Sequence, residues 1–313
     1  MREGKRMQAV FDMLPKTLVH AIQSFSIFPQ STIEEIRIRI HRPLEVIAGG
    51  RSYICPHVVQ TEEGVELLNK LSQYSLYTIE EELKKGYITI QGGHRVGLAG
   101  KVITEGGKVK AIRHITSFNI RMARQQIGMA APLLPYLYDG RWFNTVIIGA
   151  PQTGKTTLLR DIARIVSSGV TEQHIAPRKV GIVDERSEIA GCVKGIPQFT
   201  FGCRVDVLDA CPKAEGMMMM IRSMSPDVLI VDEIGSEADC TAILEAVHAG
   251  IGLFMTAHGR HLDDLMKRPS LRPIIEQAVF ERFVELTNIG RPGTIQAIRD
   301  SSGCDVYRKM SVM

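Results

Sequence analysis

The 313-residue sequence has no apolar stretch near the ~18 residues that a membrane-spanning helix requires, and runs such as 145–148 and 228–231 are strand-sized. Aromatic residues make up only 6% of the chain, with a single Trp. The basic segments therefore lack the aromatic stacking platform that single-stranded nucleic acid binding uses, and no RNP-like or helix-turn-helix pattern accompanies them. Six cysteines, at 55, 192, 203, 211, 240 and 304, form no CxxC pair and have no histidine at zinc spacing. That argues against a structural metal site and for a reducing compartment. Residues 1–12 carry basic side chains but no apolar core followed by small residues, so no export signal is read and a cytosolic location is expected. Internal repeats and low-complexity segments are missing as well.

What is present is an ordinary globular composition, 44% hydrophobic and 23% charged, in a chain longer than one typical domain, so two domains are expected. The net charge of +4 is unevenly placed. Residues 1–140 hold 18 Lys and Arg against 13 Asp and Glu, whereas residues 141–313 hold 20 against 21.

Periodicity divides the chain in the same way. Helical spacing at 7–14, 18–25, 62–72 and 78–85, with Thr78 as a candidate N-cap, alternates with strand signals at 36–40, 44–48, 51–55, 87–91, 95–103 and 108–112. The glycine pairs at 49–50, 92–93 and 106–107 read as turns. These predict an α+β domain over 1–125 and a Pro-containing linker over 126–140. From 141 to 313, strands at 145–149, 179–184, 227–232, 252–258, 282–287 and 294–299 alternate with helices at 155–167, 214–224, 237–249, 261–267 and 271–278. That alternation predicts an α/β domain with a largely parallel sheet.

The strongest motif lies at the first of these strands. Gly149, Ala150, Pro151, Gln152, Thr153, Gly154, Lys155 and Thr156 match GxxxxGK[ST] at every fixed position, between a buried strand and an unbroken helix. Glycines let the backbone wrap phosphate oxygens, and the helix N-terminus and successive N–H groups supply positive potential. Lys155 adds a full charge at the β and γ phosphates, Thr156 offers a hydroxyl to Mg²⁺, and Thr157 follows in the same turn. A second apolar strand ends in Asp232 and Glu233, the first suited to the Mg²⁺ shell and the second to activating an attacking water. Two further strand ends carry Asp184, Glu185, Arg186, Ser187 and Glu188, and Thr256, Ala257 and His258. Ligands bind at the carboxyl ends of strands in open parallel sheets, so four strand ends are expected to line one crevice. Glu185 is read there as a second acid and His258 as a sensor of the γ-phosphate. Met217–Met220 is read as flexible core packing.

In this order the four boxes resemble those of the secretion and pilus-retraction ATPases of the type II and type IV systems, a branch of RecA-like P-loop NTPases. The resemblance implies a RecA-like P-loop NTPase motor domain preceded by a smaller α+β domain, ATP and Mg²⁺ as cofactors, and a homohexamer. It also implies docking on a polytopic membrane platform protein. Arginines of the amino-terminal domain clamp the nucleotide in that branch, and the candidates here are Arg95, Arg113 and Arg121. Where those ATPases usually end the second strand in Gly-Glu, this chain has Asp232-Glu233, which assigns the Mg²⁺ role to Asp232. The segments at 118–121, 183–191, 206–209, 211–217 and 222–227 are more specifically similar to the stage III sporulation protein AA family. That likeness runs from about residue 30 to the end. It implies a mother-cell ATPase that energises or assembles a channel complex between mother cell and forespore.

Two other functions remain open from the residues alone. One is a P-loop ATPase stimulated by nucleic acid, suggested by the amino-terminal excess of positive charge. The other is a nucleotide-gated assembly scaffold with slow hydrolysis.

Overall fold

The computed structural model describes residues 3–25, 27–73 and 80–307, and Thr78, the expected N-cap, lies outside them. The chain divides into two compact units, residues 1–124 with 191–199, and residues 125–190 with 200–313.

The first unit opens with helices α1 (Glu3–Met13) and α2 (Lys16–Ser24). Strands β1 (Ile33–Arg39), β2 (Pro43–Ala48) and β3 (Arg51–Val58) come next, then helices α3 (Thr61–Leu71) and α4 (Glu80–Lys85). Strands β4 (Tyr87–Ile90), β5 (His94–Glu105) and β6 (Lys108–Arg121) complete a six-stranded sheet of order β3-β2-β1-β6-β5-β4. Alternation along β1 buries Ile36 and Ile38 and leaves Arg37 and Arg39 on the polar face beside Glu35 and Glu45, as a half-buried strand requires. The last strand is longer than the expected 108–112. Beyond Ile112 its sequence is interrupted by polar residues, yet Phe118 and Ile120 are buried and pair in register with Ile38 and Ile36 of β1. A second partner strand therefore extends β6 where local alternation is weak. Residues 191–199 also belong to this unit: Gln198 accepts a hydrogen bond from the Gly92 N–H at 3.0 Å, and the Phe199 ring packs against Gly93.

The second unit begins with α5 (Leu134–Leu137) and the short ladder β7 (Tyr138–Asp139) and β8 (Arg141–Trp142). Residues 126–140, expected as a linker, are part of this unit. Ala130, Leu133, Leu134 and Leu137 are buried in its core, and Asp161 accepts from the Gly128 and Ala130 N–H groups at 3.0 and 2.8 Å. Pro132 and Pro135 stand at the starts of a 3-10 helix (Ala131–Leu133) and of α5.

The remaining elements are β9 (Thr145–Gly149), α6 (Lys155–Ser168), β10 (Val180–Asp184), β11 (Val205–Asp209), α7 (Lys213–Met224) and β12 (Val228–Val231). They continue through α8 (Glu237–His248), β13 (Gly252–His258), α9 (Leu262–Met266), α10 (Arg272–Glu276), β14 (Arg282–Leu286) and β15 (Ile295–Asp300). The seven-stranded sheet has the order β11-β10-β12-β13-β9-β14-β15 and is parallel except at β15. Strands β9, β10 and β12 are buried throughout, the continuous apolar run expected of strands covered on both faces. Strand β11, with aspartates at 206 and 209, shows no such run because it is the sheet edge. Met217 and Met220 are fully buried against the sheet while Met219 is exposed, so the methionine run packs the core of α7 in the usual helical spacing.

Candidate functional site

The strand order places β10, β12, β13 and β9 side by side and parallel, so their carboxyl ends, and with them all four motifs, lie along one edge. After β9 the chain turns through residues 150–154, where Gln152 and Gly154 adopt φ of +66° and +93°. A Cβ at Gly154 would stand 2.8 Å from the Gly293 nitrogen, because the β14–β15 loop packs on this turn and Gly293 donates to the Thr153 carbonyl at 2.7 Å. Glycine is therefore required there both by backbone conformation and by space.

Lys155 opens α6 and is buried. Its Nζ donates to the carbonyls of Gly149 and Ala150 at 2.9 and 3.1 Å and lies 3.4 Å from His258 Nδ1. Burial pulls its pKa below the usual lysine value, opposed by the charges of Asp232 and Glu233. Thr156 donates to Asp232 Oδ2 at 2.7 Å, and Thr256 of β13 donates to Asp232 Oδ1. The same Thr256 oxygen accepts the Glu233 N–H at 2.8 Å, which holds Glu233 in a left-handed conformation with φ +55°. The chain is pinned again three residues on, where Ser236 and Asp239 form a reciprocal capping box at the start of α8.

Glu233 has both carboxylate oxygens engaged. Oε1 lies 2.8 Å from His258 Nε2, and Oε2 pairs with Arg186 Nη1 at 2.7 Å. The two ring nitrogens of His258 thus bridge Lys155 and Glu233. Arg268 Nη2 donates to the His258 carbonyl at 2.6 Å.

The loop after β10 is organised by Asp184, which is buried and accepts the N–H groups of Glu188 and Ala190, each at 2.8 Å. Burial outweighs these bonds and raises its pKa to about 6. Arg160, buried on α6, donates to the carbonyls of Ile189 and Glu188 at 2.7 and 2.6 Å. Glu185 is paired with Lys213 at the start of α7. Arg186 is the member of this box that reaches Glu233. Reading the box for its acids misses it, and the available signal was a lone basic residue inside an acidic strand end.

The oxygens of Thr156 and Asp232 stand together as Mg²⁺ would need, and no cluster of three or more His, Cys, Asp or Glu that could hold a metal occurs among the described residues. Two protein oxygens with the rest from phosphates and water suit Mg²⁺, which keeps its waters and binds few protein groups. Thr157 sits half-buried beside Thr156 in the first turn of α6. The three arginines lie in the first unit. The Arg95 guanidinium is 3.4 Å from the centre of the Tyr87 ring, Arg121 is 3.5 Å from Glu35, and Arg113 is exposed on β6.

The sequence profile described as "Sporulation stage III, protein AA" matches residues 4–306. The chain belongs to that family. It is 57% identical over 306 residues to the stage III sporulation protein AA of Bacillus subtilis (strain 168), covering 98% of this chain and 99% of that one. Among solved structures, the Legionella pneumophila ATPase DotB matches with a TM-score of 0.57 and 18% identity, over 88% of this chain and 75% of that one. The pilus retraction motor PilT, solved with bound ADP, matches with a TM-score of 0.57 and 15% identity, over 86% of this chain and 76% of that one. At such identities the likeness shows the fold. This chain therefore has an α/β unit of RecA-like fold preceded by a smaller α+β unit.

Proposed function

We propose that this protein hydrolyses Mg-ATP and acts as the motor of a sporulation channel complex between mother cell and forespore. In this reading it energises the assembly of the complex or transport through it. The observation that carries the reading is the single hydrogen-bonded set formed by Lys155, Thr156, Asp232, Glu233, Thr256 and His258 from three adjacent strand ends. The turn of 149–156 cradles the phosphates, with Lys155 leaving the Gly149 and Ala150 carbonyls for the β and γ oxygens. Thr156 and Asp232 would hold Mg²⁺, partly through water, and the bound ion would supply charge that offsets that of the phosphates. Glu233 takes the proton of the attacking water. His258 assists at the same edge, Glu185 stays paired with Lys213 at the start of α7, and Arg95, Arg113 and Arg121 of the first unit clamp the nucleotide.

The resemblance to secretion ATPases supports a homohexamer docked on a polytopic membrane platform protein of the same complex. Among the described residues no helix is long and apolar enough to cross a membrane, so docking through that partner accounts for a peripheral position on the mother-cell side. Phosphate release by the purified chain, alone and with Lys155→Ala, tests the reading. Loss of turnover in the variant is expected, and equal turnover in the two overturns it. Sporulation supported by Glu233→Gln would replace the motor with a nucleotide-gated scaffold.

A further inference from the structure

The acid assigned to water activation is neutralised where it stands. Its two oxygens are engaged by Arg186 at 2.7 Å and His258 at 2.8 Å, so a water approaching the carboxylate has to displace or share one of these contacts. The same histidine touches Lys155, and Lys155 is bonded to two carbonyls of its own loop. A continuous chain of contacts thus runs from the phosphate lysine through His258 and Glu233 to Arg186.

Arg186 is suited to move. Its side chain is 59% exposed, while its backbone is tightly held by neighbours. Asp184 caps the loop from inside, Ser187 donates to Asp209 Oδ1 at 2.6 Å with φ +54°, and Glu185 is turned away to Lys213. The held backbone aims an exposed guanidinium along the site edge. A guanidinium prefers a doubly charged phosphate to a carboxylate already shared with histidine, because it can bind two phosphate oxygens at once.

Resting on the ATPase reading, we propose that Arg186 is a positioning residue for Glu233 and a reader of the terminal phosphate. Without nucleotide it holds the Glu233 carboxylate. When a nucleoside triphosphate fills the 149–156 turn, Lys155 is drawn to the phosphates, His258 loses its contact with the lysine, and Arg186 transfers to the γ-phosphate. Glu233 is then free to accept a proton from water. A diphosphate has no γ-phosphate to draw the arginine off, so Glu233 stays held. The device links the acid's availability to the presence of the bond to be cut.

Calorimetric titration of the full chain with ATP and with ADP, on Glu233→Gln so that ATP persists, measures the triphosphate preference with and without Arg186→Ala. The expected result is a tenfold or greater loss of the ATP-over-ADP preference in Arg186→Ala, with ADP affinity unchanged. In the otherwise wild-type chain kcat falls at least tenfold, with partial recovery of both quantities in Arg186→Lys. A merely structural role for this exposed residue would move both nucleotides together. Retention of the full preference and of kcat within twofold in Arg186→Ala overturns the proposal while leaving the ATPase reading intact. Failure of the unsubstituted chain to bind either nucleotide overturns both.

Discussion

Thr256 carries more of the site than its small side chain suggests, and replacing it by valine measures how much. The substitution keeps the shape and exchanges a hydroxyl for a methyl group, so packing in the fully buried position on β13 is nearly unchanged. Two hydrogen bonds are lost. Asp232 Oδ1 loses a donor, and a bond to a charged acceptor contributes about 1.5–3 kcal/mol. The Glu233 N–H loses its acceptor at 2.8 Å, worth about 1 kcal/mol for a neutral bond. The expected destabilisation is about 3 kcal/mol, or about 6–12 °C in the midpoint of a unit this size.

Trp142 is the single tryptophan and lies in the core of the same unit, so its fluorescence reports this transition and not that of the first unit. Thr256→Ser keeps the hydroxyl and removes one buried methyl, at a cost of about 1 kcal/mol. ATP turnover should fall at least tenfold in Thr256→Val, because Glu233 loses the bond that holds its left-handed backbone, and should largely persist in Thr256→Ser. If Thr256→Val unfolds at the same midpoint as Thr256→Ser, the hydroxyl is not the tie between these two acids and the reasoning fails.

Two other consequences follow from neighbouring residues. Asp184 has a folded-state pKa of about 6, above its unfolded value near 3.8, so the native state binds the extra proton between those values. Stability from this group is present at low pH and declines as pH rises through 6. At about 1.4 kcal/mol per unit, the decline relative to Asp184→Asn is at most about 3 kcal/mol. Urea midpoints of both proteins between pH 4 and 7 check it, and parallel curves would refute it. Gly154→Ala places a Cβ 2.8 Å from backbone at Gly293 and at φ +93°. It should cost about 2 kcal/mol from backbone strain and contact and weaken ATP binding at least tenfold by calorimetry. Unchanged affinity would show that the turn tolerates a side chain.

Much of the second unit was legible in the sequence because its signals are local. Buried parallel strands are short continuous apolar runs, and the turn of 149–156 is a contiguous motif in which Gly154 takes a left-handed backbone. Less legible were β11, whose edge position removes the apolar run, and the far half of β6, whose partner β1 lies some 80 residues earlier in the chain. Residues 126–140 looked like a connector because prolines and small residues are common to linkers and to tight turns. Only the burial of Leu133, Leu134 and Leu137 distinguishes the two.

By itself the sequence determined the class of the fold and the turn of 149–156, and it named Lys155, Thr156, Asp232 and Glu233 as candidates, since each follows from residues a few positions apart. Tertiary structure alone decided how they are connected. Strand order sets β10, β12, β13 and β9 side by side, which brings Thr256 between Asp232 and Glu233, His258 between Lys155 and Glu233, and Arg186 rather than Glu185 onto the Glu233 carboxylate. Spacing along a chain does not encode which strand lies next to which, or which way a side chain turns from a loop. Those are settled by the packing of the whole sheet and by the backbone bonds that hold each strand end in place.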